Sequence, residues 1–124
     1  VITFRNLHNW LGPKMESIFK NSFVALKPGG IFGVVEHRAE PGTGIDLMKS
    51  SGYVTEELAI EVAIKSGFEL VAKSEINANS KDTKNHPKGV WTLPPSLRLK
   101  DVDREKYSSI GESDRMTLLF RKPL

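Results

Sequence analysis

The chain has 124 residues, with 18 Lys and Arg against 15 Asp and Glu for a formal charge of +3, and it contains no cysteine. At 39% hydrophobic and 27% charged residues it has the composition of one ordinary soluble globular domain, which excludes disordered and collagen-like classes. The lack of cysteine excludes disulfides, zinc–thiolate sites and thiol nucleophiles. The basic residues are scattered from Arg5 to Lys122 without a block, and the longest apolar runs fall far short of the ~20 residues that cross a bilayer, so neither a nucleic-acid nor a membrane partner is expected.

Val1 to Phe4 reads as the end of a buried strand, being β-branched or aromatic throughout. Polar Arg5 and Asn6 follow at once, which is unlike a signal peptide. A strand-like start without Met suggests that residues precede it, and localisation is left open. After a loop over Arg5 to Gly12, Pro13 opens a helix, where its missing N–H costs nothing. Met15, Ile18, Phe19, Phe23 and Leu26 recur at three- and four-residue steps, so the helix is expected over about 14–26 with these residues on one face. Lys27-Pro28-Gly29-Gly30 stops it, since Pro28 breaks the hydrogen-bond ladder and the Pro-Gly step suits a tight turn.

Ile31-Phe32-Gly33-Val34-Val35 reads as a strand covered on both faces of a parallel sheet. Residues 39–53, rich in Gly and Pro, read as a loop. Thr55 is placed to cap a second helix, with Glu56 and Glu57 complementing its N-terminal dipole and Leu58, Ala59, Val62 and Ala63 forming its apolar stripe. Gly67 is placed to end that helix in a left-handed conformation, with Phe68 folding back on its last turn. Glu69 to Ile76 is the third strand. Residues 77–114 show no periodicity and read as a long loop inserted before the last strand, packed rather than free because of Trp91, Leu93, Leu97 and Tyr107. Met116, Leu118 and Phe120 alternate in that final strand.

Helical crossovers between successive strands place the chain in the α/β class. The last strand has no helix before it and is expected to enter antiparallel, as a mixed edge of the sheet. For the visible strands the expected order is first, second, fourth, third, with the C-terminal strand between its neighbours.

These elements, in this order, resemble the C-terminal half of a class I S-adenosylmethionine-dependent methyltransferase. The turn Leu26-Lys27-Pro28-Gly29-Gly30-Ile31-Phe32 and the step through Gly67-Phe68 into Glu69 to Ile76 carry the match. A closer resemblance, to an uncharacterised bacterial group of predicted methyltransferases, rests on five stretches: Phe4 to Trp10, Glu36 to Arg38, Ser74 to Asn79, Gly89 to Pro95 and Gly111 to Thr117. It covers essentially the whole chain. The resemblance implies that residues 1–124 are a single partial domain, the C-terminal portion of a Rossmann-like methyltransferase sheet, acting with S-adenosylmethionine on a small-molecule substrate. The glycine-rich turn and acidic residue by which that family holds its cofactor have no counterpart here, and Pro41-Gly42-Thr43-Gly44 reads as a loop. Activity is therefore expected only together with a further half.

Open α/β sheets place their sites at the C-terminal ends of strands. That rule brings Arg5, Asn6, Leu7 and His8, after the first strand, beside Glu36, His37 and Arg38, after the second. By the resemblance, Arg5, Asn6 and Leu7 line the methionine end of the cofactor. His8 is a candidate general base, a neutral imidazole accepting a proton near neutral pH, or a histidine that merely holds its loop. Glu36 and His37 are candidate catalytic partners, although adjacent residues on a strand point to opposite faces and one of them is expected to miss the site. Arg5 and Arg38 are candidate ligands of an anionic substrate through their planar forks, or partners of Glu36 or Glu75 in a buried ion pair. Trp91 is a candidate substrate wall, or an anchor for the long loop. Asn77 and Asn79 are candidate substrate ligands or turn formers after a strand, and Asp114 with Arg115 reads as a salt bridge capping the last strand in preference to a substrate contact. His8, His37 and His86 show no metal spacing, and no metal is expected. The rival reading is a non-catalytic binding module that keeps this half-sheet, and the oligomeric state is not legible.

Overall fold

The computed structural model describes residues 1–124. Strand β1 spans Ile2–Phe4, helix α1 Pro13–Ala25, β2 Ile31–His37, α2 Ile45–Ser51, α3 Glu56–Lys65, β3 Glu69–Ser74, α4 Arg104–Ile110 and β4 Arg115–Arg121. Short 3-10 turns cover Leu7–Asn9 and Gly89–Thr92. No helix is long and apolar enough to cross a membrane.

The sheet order is β1-β2-β4-β3, with β1 and β2 parallel and β4 antiparallel to both of its neighbours. The expected order and the antiparallel sense of the last strand are therefore found, but β4 is interior rather than an edge. Its register, from Ile31 opposite Arg121 to His37 opposite Arg115, runs the full length of β2. In consequence the start of β4 lies beside the end of β2, at the rim that also receives the end of β1.

Local chemistry explains the helices. Pro13 is the first residue of α1, and the Thr55 side chain accepts the Leu58 N–H to cap α3 at 3.2 Å. Gly67 closes α3 at φ +110°, and a Cβ there would lie 2.7 Å from the Phe23 ring, so both backbone and packing demand glycine. Phe68 N–H returns to Ala63 O at 3.0 Å, as expected for that turn. At the end of α1, Lys122 Nζ donates to the carbonyls of Phe23 and Leu26, each at 2.8 Å, satisfying acceptors that the last turn leaves open.

Helices α1 and α3 cover one face of the sheet. Met15 and Phe19 of α1 and Ala59, Val62 and Ala63 of α3 share a core with Phe32 and Val34 of β2 and Met116, Leu118 and Phe120 of β4. Phe32 packs edge-on against Phe19 at 5.0 Å and stacked on Phe68 at 5.3 Å. Each such buried phenyl contributes about 1.5–3 kcal/mol by leaving water. The expectation that β2 is covered on both faces fails: Ile31 is 50% exposed, as are Ile2 and Phe4 of β1 to similar degrees, because both covering helices pack on the same side.

Two segments read as loops contain helices. Residues 39–53 include α2, of which only Met48 is buried, and residues 77–114 include α4, of which only Tyr107 is buried. One buried residue per short helix gives no stripe to detect. The third strand also stops at Ser74, two residues early.

Candidate active site at the strand-end rim

The site is built where β1 and β2 end. Arg5 continues the ladder, its N–H meeting Val35 O at 2.7 Å, and adopts φ +56°, which turns the chain sharply out of the sheet. The following 3-10 turn is pinned by Leu7, fully buried in the main core, and this swings His8 back over the end of β2. There the Glu36 carboxylate, at 0% exposure, accepts the His8 backbone N–H at 2.8 Å and the His37 backbone N–H at 2.8 Å. His8 Nδ1 faces the same carboxylate at 3.1 and 3.2 Å. An ionised carboxylate is acceptor-only, so Nδ1 carries a proton, and in the neutral ring Nε2 then carries the lone pair. Nε2 makes no hydrogen bond within the chain.

His8 and His37 both border a cleft of about 330 Å³, with ring centroids 5.5 Å apart. Adjacent residues of β2 thus both serve this corner, because the Glu36 side chain is long enough to curl back over its own following amide while His37 faces the cleft directly. Burial leads the causes that lower the His37 pKa to about 3, and the charges of Arg115 and Arg5 add to it. His37 is consequently a neutral imidazole, and its Nδ1 shares a short hydrogen bond with buried Ser113. Trp91 meets His8 edge-on at 5.8 Å and walls the cleft with Pro94 and Pro95.

The expected site residues divide accordingly. Arg5, Asn6, His8, His37 and Trp91 line one cleft, and Glu36 lies behind His8. Leu7, expected near the cofactor, is a core residue. Arg38, expected to bind substrate here, points elsewhere: Nε and Nη2 grip Asp114 at 2.9 and 3.0 Å, and Nη1 reaches Glu75 at 2.8 Å. Of its two anticipated partners only Glu75 is used, and Glu36 is not. The Asp114 hydrogen bond leads the causes that raise the Arg38 pKa. Burial alone would raise the Asp114 carboxyl, but hydrogen bonds from Arg38 and Lys84 outweigh it and hold the group at about 2. Asn77 and Asn79 bond Thr117 Oγ1 and the carbonyls of Ile110 and Glu112.

Ser113 and Arg115 also line the cleft, and the expected Asp114–Arg115 salt bridge does not form: Arg115 meets Glu112, while Asp114 meets Arg38 and Lys84. The signal was available in the topology, because an antiparallel β4 beside β2 must deliver its first residues to the rim.

Spacing gave no metal site, yet the fold gathers ligand atoms of His8, Glu36 and His37 within 4.8 Å of one another. The carboxylate already accepts three N–H groups, and a cation bound through His8 Nδ1 would have to replace the proton of that nitrogen. The expected cofactor fares differently. S-adenosylmethionine sets a sulfonium and an ammonium against one carboxylate, whereas the cleft lining holds two arginines and no Asp or Glu. These residues do not fit it, and no step is derived through it.

No family model matches the sequence, and no curated protein matches it. Among solved structures, the crystal structure of the [4+2]-cyclase SpnF superposes with a TM-score of 0.62 at 16% identity. The match covers 100% of this chain and 49% of that one, so the chain spans about half of that structure's length. At this identity the likeness establishes the fold alone: a methyltransferase-like α/β arrangement with a mixed sheet. It also corrects the expected family. The five stretches do not place the chain in a methyltransferase group, because no family model or curated protein supports one and the structural neighbour is a cyclase. One sheet carries many chemistries, and its presence does not select among them.

Proposed function

We propose that this chain supplies the acid–base side of an enzyme site acting on a small organic molecule, with His8 as general base. The observation that carries the reading is the Glu36–His8 pair. A fully buried carboxylate fixes one imidazole nitrogen at 3.1 Å and leaves the other, unbonded, at the edge of a cleft. Holding a histidine in place needs only one of these contacts, and the backbone N–H of His8 already provides it. Fixing the ring as well selects the tautomer that can accept a proton.

The step we assign to this base is removal of a proton from a hydroxyl or comparable group of that molecule. His8 Nε2 takes the proton that the hydroxyl releases, Glu36 faces the ring on which that proton lands, and Trp91 with Pro94 and Pro95 limits water at the reacting oxygen.

The test combines turnover of a small hydroxy compound, read as its consumption by mass spectrometry, with calorimetry. His8→Ala should lower turnover by about 100-fold or more and cost about 1–2 kcal/mol of folding stability. Wild-type turnover in that variant would make His8 structural.

A further inference from the structure

The charge balance of the cleft points to its ligand. Two of its lining residues, Arg5 and Arg115, are permanent cations, while no carboxylate lines it; the one acid nearby, Glu36, is fully buried behind His8. His37 adds no positive charge, being neutral. Arg5 makes no side-chain hydrogen bond. Arg115 donates from one Nη to Glu112 at 3.0 Å, but its Nε is buried without any partner. That Nε has no accessible surface, so it is the terminal nitrogens of Arg115, whose side chain is 15% exposed, that can meet a ligand in the cleft.

Building on the reading of this cleft as a substrate pocket, we propose that it is a carboxylate subsite, in which Arg115, assisted by Arg5, clamps the carboxylate of a small monocarboxylic acid. A guanidinium fork matches a carboxylate with two parallel N–H donors. Charge selects a monoanion: Glu112 pairs with Arg115, so two cations against one acid leave one net positive charge, too little for a dianionic phosphate. The opposite wall, Trp91, Pro94 and Pro95, suits an apolar and preferably flat body. At about 330 Å³ the cleft stands at the low end of small-molecule sites, ~300–1,000 Å³. A bound carboxylate would orient the rest of the molecule toward His8 Nε2, so the substrate class is a hydroxy acid with an aromatic or otherwise apolar frame.

The experiment is a titration of the protein with sodium benzoate, benzamide and inorganic phosphate, followed by calorimetry and by the ¹H–¹⁵N signal of the Arg115 side-chain Nε. Benzoate should bind and shift that signal, and benzamide and phosphate should bind at least about tenfold more weakly, since a hydrogen bond to a charged group is worth ~1.5–3 kcal/mol. Arg115→Gln should weaken benzoate about tenfold or more. Because Arg115 is also the first residue of β4, Glu112→Gln provides a gain-of-function control: removing the counter-ion from Arg115 should tighten benzoate severalfold. Equal binding of benzoate and benzamide, tighter binding of phosphate, or unchanged affinity in both variants would overturn the subsite. His8→Ala keeps the two claims apart. Benzoate binding retained with wild-type turnover removes the base but leaves the subsite, whereas lost turnover without benzoate binding removes the subsite but leaves the base.

Discussion

Replacing Glu36 by Gln keeps the shape and removes the charge, which isolates what the carboxylate does. Glu36 accepts three N–H groups, from the backbones of His8 and His37 at 2.8 Å each and from His8 Nδ1 at 3.1 Å. An amide has a single oxygen, so its NH₂ must face at least one of these donors. Losing a hydrogen bond to a charged group costs ~1.5–3 kcal/mol, and an unpaired buried donor costs a further ~1–3 kcal/mol. Against this, the amide avoids the several kcal/mol needed to bury an anion. The net expectation is a loss of about 2 kcal/mol, read as a lowered denaturant midpoint at unchanged slope. A cycle with His8→Ala should give a coupling of about 0.5–3 kcal/mol, because the two side chains are in contact. The amide also no longer requires the proton on Nδ1, so the tautomer read by long-range ¹H–¹⁵N spectra should shift toward Nε2–H. Turnover should then fall by about 10²–10⁴, as when a catalytic histidine loses its orienting carboxylate. Zero coupling together with an unchanged tautomer would refute the pairing of these residues in solution.

His37→Gln tests the neutral imidazole. The folded protein lowers the His37 pKa to about 3, while the unfolded chain binds that proton near 6.5. The stability held above pH 6.5 is therefore lost as the pH falls toward 3, by up to about 1.4 kcal/mol per unit. Urea unfolding at pH 7 and pH 5 should show this slope in the wild type and a flatter one in the variant; equal slopes would contradict the assignment. Gly89→Ala tests the seam between the long loop and α2. Gly89 has φ +59°, and a Cβ there would overlap the Ser51 carbonyl and come within 2.6 Å of Ser51 Cα. Both are backbone atoms that cannot swing aside, so a loss of at least about 2 kcal/mol is expected in the denaturant midpoint, and an unchanged midpoint would refute the seam.

What could be read from the sequence was local or topological. Pro13, Thr55 and Gly67 act within a turn of their own positions, and they mark the ends of α1 and α3 as expected. The meeting of Asn6, His8, Glu36 and His37 followed from two parallel strands ending at one rim. What escaped depended on side chains reaching across long separations. Arg38 and Arg115 illustrate the point: from the chain alone Arg38, one residue beyond His37, looked the better substrate ligand. Antiparallel pairing sets Arg115 opposite His37 at the rim, while Arg38 turns away to Asp114, 76 residues distant. No period or motif records that exchange. The missing cover over Ile2, Phe4 and Ile31 was equally illegible, because an apolar run shows that a strand can be buried on both sides, not that it is.

The same distance argument yields a last prediction, about residues 77–114. They were expected to be packed through their apolar side chains, but their tightest fixture is polar. Asp82, 5% exposed, accepts Tyr53 Oη–H at 2.8 Å, the Asp114 N–H at 2.9 Å and the Lys84 N–H at 2.9 Å, with His86 Nε2 at 2.8 Å. Burial, reinforced by Asp82, raises the Tyr53 pKa, so the phenol stays a donor. Asp114 is flanked by Ser113 and Arg115, the two cleft residues that the long loop delivers to the rim. The Asp82 clasp therefore fixes the cleft wall from behind without touching the cleft. Asp82→Asn should cost about 2–3 kcal/mol, since one oxygen cannot serve four donors. It should also weaken benzoate several-fold, because Arg115 is held in register through Asp114. Denaturant unfolding and benzoate calorimetry on the same sample separate these effects. If stability falls while benzoate affinity is unchanged, the start of β4 is positioned by its pairing with β2 alone, and the long loop serves only to cover the sheet.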